Sequence, residues 1–120
     1  MPLKLSEVKE ILNADILVGE ELMDRDVHSA CGSDLMSDVL AFVKEQTLLL
    51  TGLTNPHVIR TAELLDVSAI VFVRGKVPGQ DILEMAMEKS IALLSTDSTL
   101  FTACGKLYEA GLPGGTRNQS

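Results

Sequence analysis

AIVFVRG, residues 69–75, decides how this chain folds. Its first five residues are all apolar, three of them β-branched, and a glycine closes the stretch. A strand with one wet face alternates apolar and polar side chains. A strand with no polar face is covered on both sides, as in a parallel sheet flanked by helices. TLLLTG (47–52) and IALLST (91–96) read the same way, DILVG (15–19) is a further strand, and RDVHSAC (25–31) a weaker one. The segments between them carry helical periodicity. Leu35, Val39 and Phe42 with Val43 form one stripe; Val58, Ala62 and Leu65 a second; Ile82 and Ala86 a third. Leu100, Cys104 and Leu107, with Phe101 and Tyr108, form a fourth. LSEVKEIL (5–12) opens the chain as another helix, with Ser6 as its N-cap. Strands alternating with helices predict an α/β fold: a three-layer α/β/α sandwich with a mostly parallel sheet of about five strands.

The 120 residues suffice for one domain with a real core, here 3–112, and at 46% hydrophobic content that core needs no metal or disulfide. LPGGTRNQS (112–120) breaks the pattern: Pro113, Gly114 and Gly115 stop the last helix, and 113–120 reads as a flexible tail. Ten basic against 17 acidic residues give a net charge of −7, with one Tyr, three Phe and no Trp. Nucleic-acid binders combine a basic face with aromatic platforms, so that class is excluded, and the charge opposes an anionic membrane surface. No apolar run approaches a membrane span and no leader precedes the first helix, so a cytoplasmic protein with reduced thiols is expected.

DVHSACGSDLMSD (26–38) has the vocabulary of an active site. Strand alternation weakens it: Val27, Ser29 and Cys31 fall on one face, His28 and Ala30 on the other, so His28 and Cys31 point apart. Ser33 or Asp34 reads as the cap of the following helix. Cys31 remains a redox candidate, because a thiol before a helix N-terminus can be held as thiolate. His28, Cys31, His57 and Cys104 number enough for zinc, but no closely spaced cysteine pair supports them, so neither a metal nor another cofactor is expected.

Ligands of doubly wound folds bind at the strand C-terminal ends, so the junctions there carry the candidate site. After 47–52 come Gly52, Thr54 and Asn55, with Asn55–Pro56 starting a helix. After 69–75 come Arg74, Gly75 and Lys76, two cations suited to an anionic ligand. After 91–96 come Thr96, Asp97 and Ser98, with Asp97 or Ser98 capping the last helix. No Walker pattern is present and no acid–base or nucleophile constellation forms, so no catalytic residue is assigned.

LSEVKEILNADILVG (5–19), MDRDV (23–27), LLLTG (48–52), AIVFVRG and IALLSTDSTLFTACGKL (91–107) together resemble the DRTGG domain family across nearly the whole chain. The architecture is similar to the N-terminal domain of HPr kinase/phosphorylase. The resemblance implies a regulatory or assembly module rather than a catalyst, commonly a homodimer. The polar, helix-capping junctions, with no acid–base or nucleophile constellation among them, suggest that it senses a small anionic or nucleotide ligand at the strand C-terminal crevice. HSACGSDLMSDVL (28–40) and TACGKLYEAGL (102–112) resemble short stand-alone members encoded near hydrogenase and electron-transfer genes. That likeness implies a protein partner in redox or carbon metabolism. The family's signature is altered here. Thr51-Gly52-Leu53-Thr54-Asn55 lacks its Asp-Arg, and Val73-Arg74-Gly75-Lys76 lacks its Thr-Gly-Gly. Besides a regulatory module, the sequence leaves an interaction protein docking on an electron-transfer complex and a thiol switch at Cys31.

Overall fold

A computed structural model of the protein describes residues 2–42, 46–65 and 67–114. The strands are β1 (Leu3–Lys4), β2 (Asp15–Val18), β3 (Asp26–Val27), β4 (Ser29–Gly32), β5 (Thr47–Thr51), β6 (Ala69–Phe72) and β7 (Ala92–Ser95). The helices are α1 (Leu5–Leu12), α2 (Met36–Phe42), α3 (Pro56–Leu64), α4 (Gln80–Lys89) and α5 (Leu100–Glu109). The main sheet runs in the order β2-β7-β6-β5-β4. Its strands β4 to β7 are parallel, and β2 closes one edge antiparallel to β7. The architecture is the mostly parallel α/β/α sandwich that the uninterrupted apolar runs predict.

The alternation within those runs builds two cores. Leu48, Leu50, Val71 and Leu94 pack beneath α1 and α5, with Val8, Leu12, Ala103 and Leu107. Leu49, Ile70, Phe72 and Leu93 face the other way, toward Val39, Val58, Ile59, Ala62, Ile82 and Ala86 of α2, α3 and α4. Thr51, Phe72 and Ser95 lie in one row across the three central strands. The residues that follow them therefore emerge side by side at one end of the sheet.

Several local expectations are corrected. The segment 25–31 is not one strand. It breaks at His28, where Val27 pairs with Leu3 in the small β1–β3 sheet and Ser29 begins pairing with Thr47. Val27 therefore joins the α1/α5 core while Cys31 packs toward the α2–α4 core, so the two do not share a face. Ser6 does not cap α1; Lys4 holds that position, and the Glu7 carboxylate accepts the Lys4 N–H at 2.8 Å. Leu35 precedes α2 and is exposed. The Val43 end of that stripe lies outside the described residues. Phe101 and Tyr108 are not core residues: they are 88% and 74% exposed, and Ala103 and Leu107 are the buried side chains of α5. At about 100° per residue, 101 and 108 fall on one line of the helix and 103 and 107 lie roughly 100° or more around from it, which puts the two rings on the outer side. The last helix stops before Pro113. Gly111 takes a positive φ of 105°, and Leu112 N–H returns to the Leu107 carbonyl, the usual αL termination. Pro113 is itself tied down, its carbonyl accepting Ala30 N–H at 2.9 Å. The expected mobile stretch beyond it, 115–120, lies outside the described residues.

Candidate functional site

Three loops meet where β5, β6 and β7 end. Asn55 caps α3 as its sequence predicts: its side chain accepts His57 N–H at 3.0 Å, with Pro56 in the first helical turn. Gly52 is pinned from an unexpected direction. The Asp34 carboxylate accepts both Gly52 N–H, at 2.7 Å, and the Thr51 hydroxyl, at 2.9 Å. Asp34 is thus no helix cap; it ties the β4–α2 loop to the end of β5. Ser33 makes the local turn instead, accepting Leu35 N–H at 3.0 Å. The Asp34 link spans 17 and 18 residues of sequence, and a capping pattern in the same place concealed it.

The β6 loop crosses toward both neighbours. Arg74 has a positive φ of 58°, a conformation L-residues seldom adopt without a reason. Its N–H donates to the Ser98 carbonyl at 2.8 Å, and Gly75 N–H donates to the Thr96 carbonyl at 2.8 Å. The Arg74 side chain lies directly over Gly52, where any Cβ would collide with the guanidinium. Gly75 has the Asp97 carboxylate on its other side, 3.1 Å from where a Cβ would stand. Gly52, Arg74, Gly75, Asp97 and Ser98 are therefore one constellation, as their junction positions suggested. Among the described residues neither Arg74 nor Lys76 has a carboxylate within ion-pair distance.

The hydroxyls at the third junction serve the fold. Thr96 is buried, and its hydroxyl donates to the Leu12 carbonyl at 2.8 Å, closing the end of α1 onto β7. Ser95 donates to the Lys76 carbonyl at 2.9 Å. The cap of α5 is Thr99, not Asp97 or Ser98; its hydroxyl accepts Thr102 N–H at 3.3 Å. Asp97 is left exposed, its carboxylate beside Gly75.

The zinc-type residues do not converge. Among the described residues no group of three His, Cys, Asp or Glu side chains could hold a metal ion. His28 and His57 are exposed, at the β3–β4 break and in the first turn of α3. Cys31 and Cys104 do come together, on the walls of one apolar groove between β4 and α5. Burial pushes the Cys31 thiol up, with Cys104 and Asp38 adding in the same direction, and burial likewise raises Cys104. A raised thiol pKa lowers the thiolate fraction at neutral pH, the reverse of what an activated cysteine needs. Both thiols should therefore alkylate more slowly at pH 7.5 than a small free thiol, with rates still climbing above pH 9. Rapid labelling of Cys31 at neutral pH would restore the thiol-switch reading.

The sequence profile of the DRTGG domain matches residues 7–110. The chain belongs to the DRTGG domain family. No curated protein matches this DRTGG domain significantly. Among solved structures it is similar to the CBS and DRTGG domains of the regulatory region of Clostridium perfringens pyrophosphatase, crystallised with the activator diadenosine tetraphosphate. That likeness has a TM-score of 0.70 at 19% identity, and it covers 98% of this chain and 52% of the other. The chain thus spans about half the length of that structure, and the likeness is one of fold. No helix of the DRTGG domain, among the described residues, is long and apolar enough to cross a membrane.

Proposed function

We propose that this DRTGG domain is a non-catalytic regulatory module, a single unit over residues 3–112, acting as a homodimer in the cytoplasm. It takes a small phosphate-bearing ligand of the nucleotide class at the crevice where β5, β6 and β7 end. One observation carries the reading. Arg74 and Lys76 project, with no ion-pair partner among the described residues, from a loop whose backbone is bonded to the β7–α5 junction, in a chain of net charge −7. In so acidic a protein an unneutralised pair of cations on a fixed loop attracts an anion. Gly52, Thr54 and Asn55 form one lip, Arg74, Gly75 and Lys76 the middle, and Asp97 and Ser98 the other lip, with Thr96 buried beneath them. Asp34 already occupies the Gly52 amide, so side chains rather than a backbone cradle supply the phosphate contacts. The Asp97 carboxylate suits a ribose hydroxyl, which favours a nucleotide over bare phosphate. The regulatory role accords with the pyrophosphatase, whose matching domain belongs to a regulatory region crystallised with a dinucleotide activator.

Calorimetric titration with diadenosine tetraphosphate, ATP and inorganic phosphate tests this. Saturable binding of a nucleotide, with inorganic phosphate weaker, is the expected result. Silence with all three at millimolar concentration would sink the ligand-sensing reading.

A further inference from the structure

The outer face of α5 carries a ridge beside a groove. Phe101 and Tyr108, 88% and 74% exposed, stand two turns apart on the helix. Between them Gly105 has no side chain, and a Cβ there would meet nothing within 4 Å. Alongside runs an apolar groove of about 530 Å³, walled by Ala30, Cys31, Cys104, Leu107, Leu112 and Pro113. Two large aromatic side chains in water, bordering an apolar groove, mark an interaction surface. An exposed glycine in mid-helix destabilises the helix relative to alanine, so its place here calls for a reason.

We propose that a second copy of this chain covers this face, α5 crossing α5 antiparallel about a twofold axis. The proposal rests on the homodimer named above and assigns its surface. A twofold contact must be self-complementary, each protomer offering both the projecting and the receiving part. This face does so. With the axis between Gly105 and Tyr108, Tyr108 of each copy seats on the bare Gly105 of the other, and Phe101 reaches the groove beside Leu112.

Charge singles out the same face. The chain carries −7, so most approaches of two copies are repulsive. Residues 100–114 hold one Lys and one Glu, Lys106 and Glu109, and β4 holds no charge. The face is neutral, and an antiparallel crossing brings each Lys106 within about a turn of the other copy's Glu109. The area is also sufficient. Buried aromatic side chains contribute roughly 150 Å² or more each, so four rings give about 600 Å² of the roughly 1,000 Å² that a specific interface needs. The groove walls supply the rest.

Sedimentation equilibrium of the full chain tests the assignment, with three proteins compared. The wild type should be a dimer. Phe101→Glu/Tyr108→Glu should be monomeric with an unchanged circular dichroism spectrum, since both side chains lie outside the core. Gly105→Leu should fill the seat of the tyrosine, weakening association at least about tenfold while raising the melting temperature of the monomer. Stability rising while association falls is not what a merely structural glycine would give. In the dimer Cys31 and Cys104 should be shielded from alkylation, and the double glutamate variant should release them. A wild type that sediments as a monomer overturns both the dimer and this surface. A double variant that remains dimeric overturns the surface alone. Neither result touches the ligand reading, which calorimetry tests separately.

Discussion

Arg74→Gly should abolish most of the nucleotide affinity of this DRTGG domain while leaving the fold at least as stable. The two halves of this result have separate causes. The guanidinium is a cation without an ion-pair partner among the described residues, lying over Gly52 where β5 and β6 end. Hydrogen bonds to a charged partner are worth about 1.5–3 kcal/mol, so its loss should weaken binding about 10- to 100-fold. The backbone should tolerate the change, because Arg74 sits at a φ of 58°. Holding an L-residue there costs on the order of 1 kcal/mol, which glycine does not incur. Part of that gain is offset by the greater freedom of glycine in the unfolded chain. The Arg74 N–H bond to Ser98 is unaffected by the side chain. Urea denaturation should show stability within about 1 kcal/mol of wild type, on the stabilised side. Calorimetry on the same sample reads the binding. Unchanged nucleotide affinity in Arg74→Gly would remove the guanidinium from the site.

The largest loss of stability should come from Phe72→Ala. Phe72 is fully buried at the end of β6, within the core that faces α2, α3 and α4. Removing a buried phenylalanine side chain costs about 3–5 kcal/mol in lost burial plus the cavity left behind. Domains are stable by about 5–15 kcal/mol in all, so this one change takes a large share. The Tm should fall by more than about 10 °C. The loss should reach the crevice as well, because the Phe72 carbonyl accepts Thr96 N–H at 2.9 Å and so aligns the β7 loop with the β6 loop. A loss below about 1 kcal/mol would mean that the core closes over the missing ring.

Both predictions begin from AIVFVRG, and this stretch shows how far sequence reaches. Five apolar residues in a row, three of them β-branched and closed by a glycine, fit a short strand covered on both faces better than a helix, and TLLLTG and IALLST repeat the constraint. Burial is roughly proportional to apolar surface, so the layers and the parallel sheet follow from these runs alone. Asn55–Pro56 likewise identified its own helix start, because capping is local chemistry between residues two apart. The strand ends followed, and with them the neighbourhood of Gly52, Arg74 and Asp97.

What failed was each reading in which local and distant partners compete for one side chain. Asp34 looked like a helix cap and instead holds Gly52 across 18 residues. Thr96 looked like a crevice hydroxyl and instead closes α1 onto β7 across 84 residues. Periodicity assigned Phe101 and Tyr108 to the core, yet a helix with one buried stripe has room for only some of its apolar residues, and Ala103 and Leu107 take it. The sequence by itself determined the layers, the main strands and the loops at their C-terminal ends, because burial and capping act over a few residues. Only the tertiary structure decided which polar groups remain free for a ligand and which apolar ones remain uncovered. Those are what is left once contacts between distant segments have taken the rest.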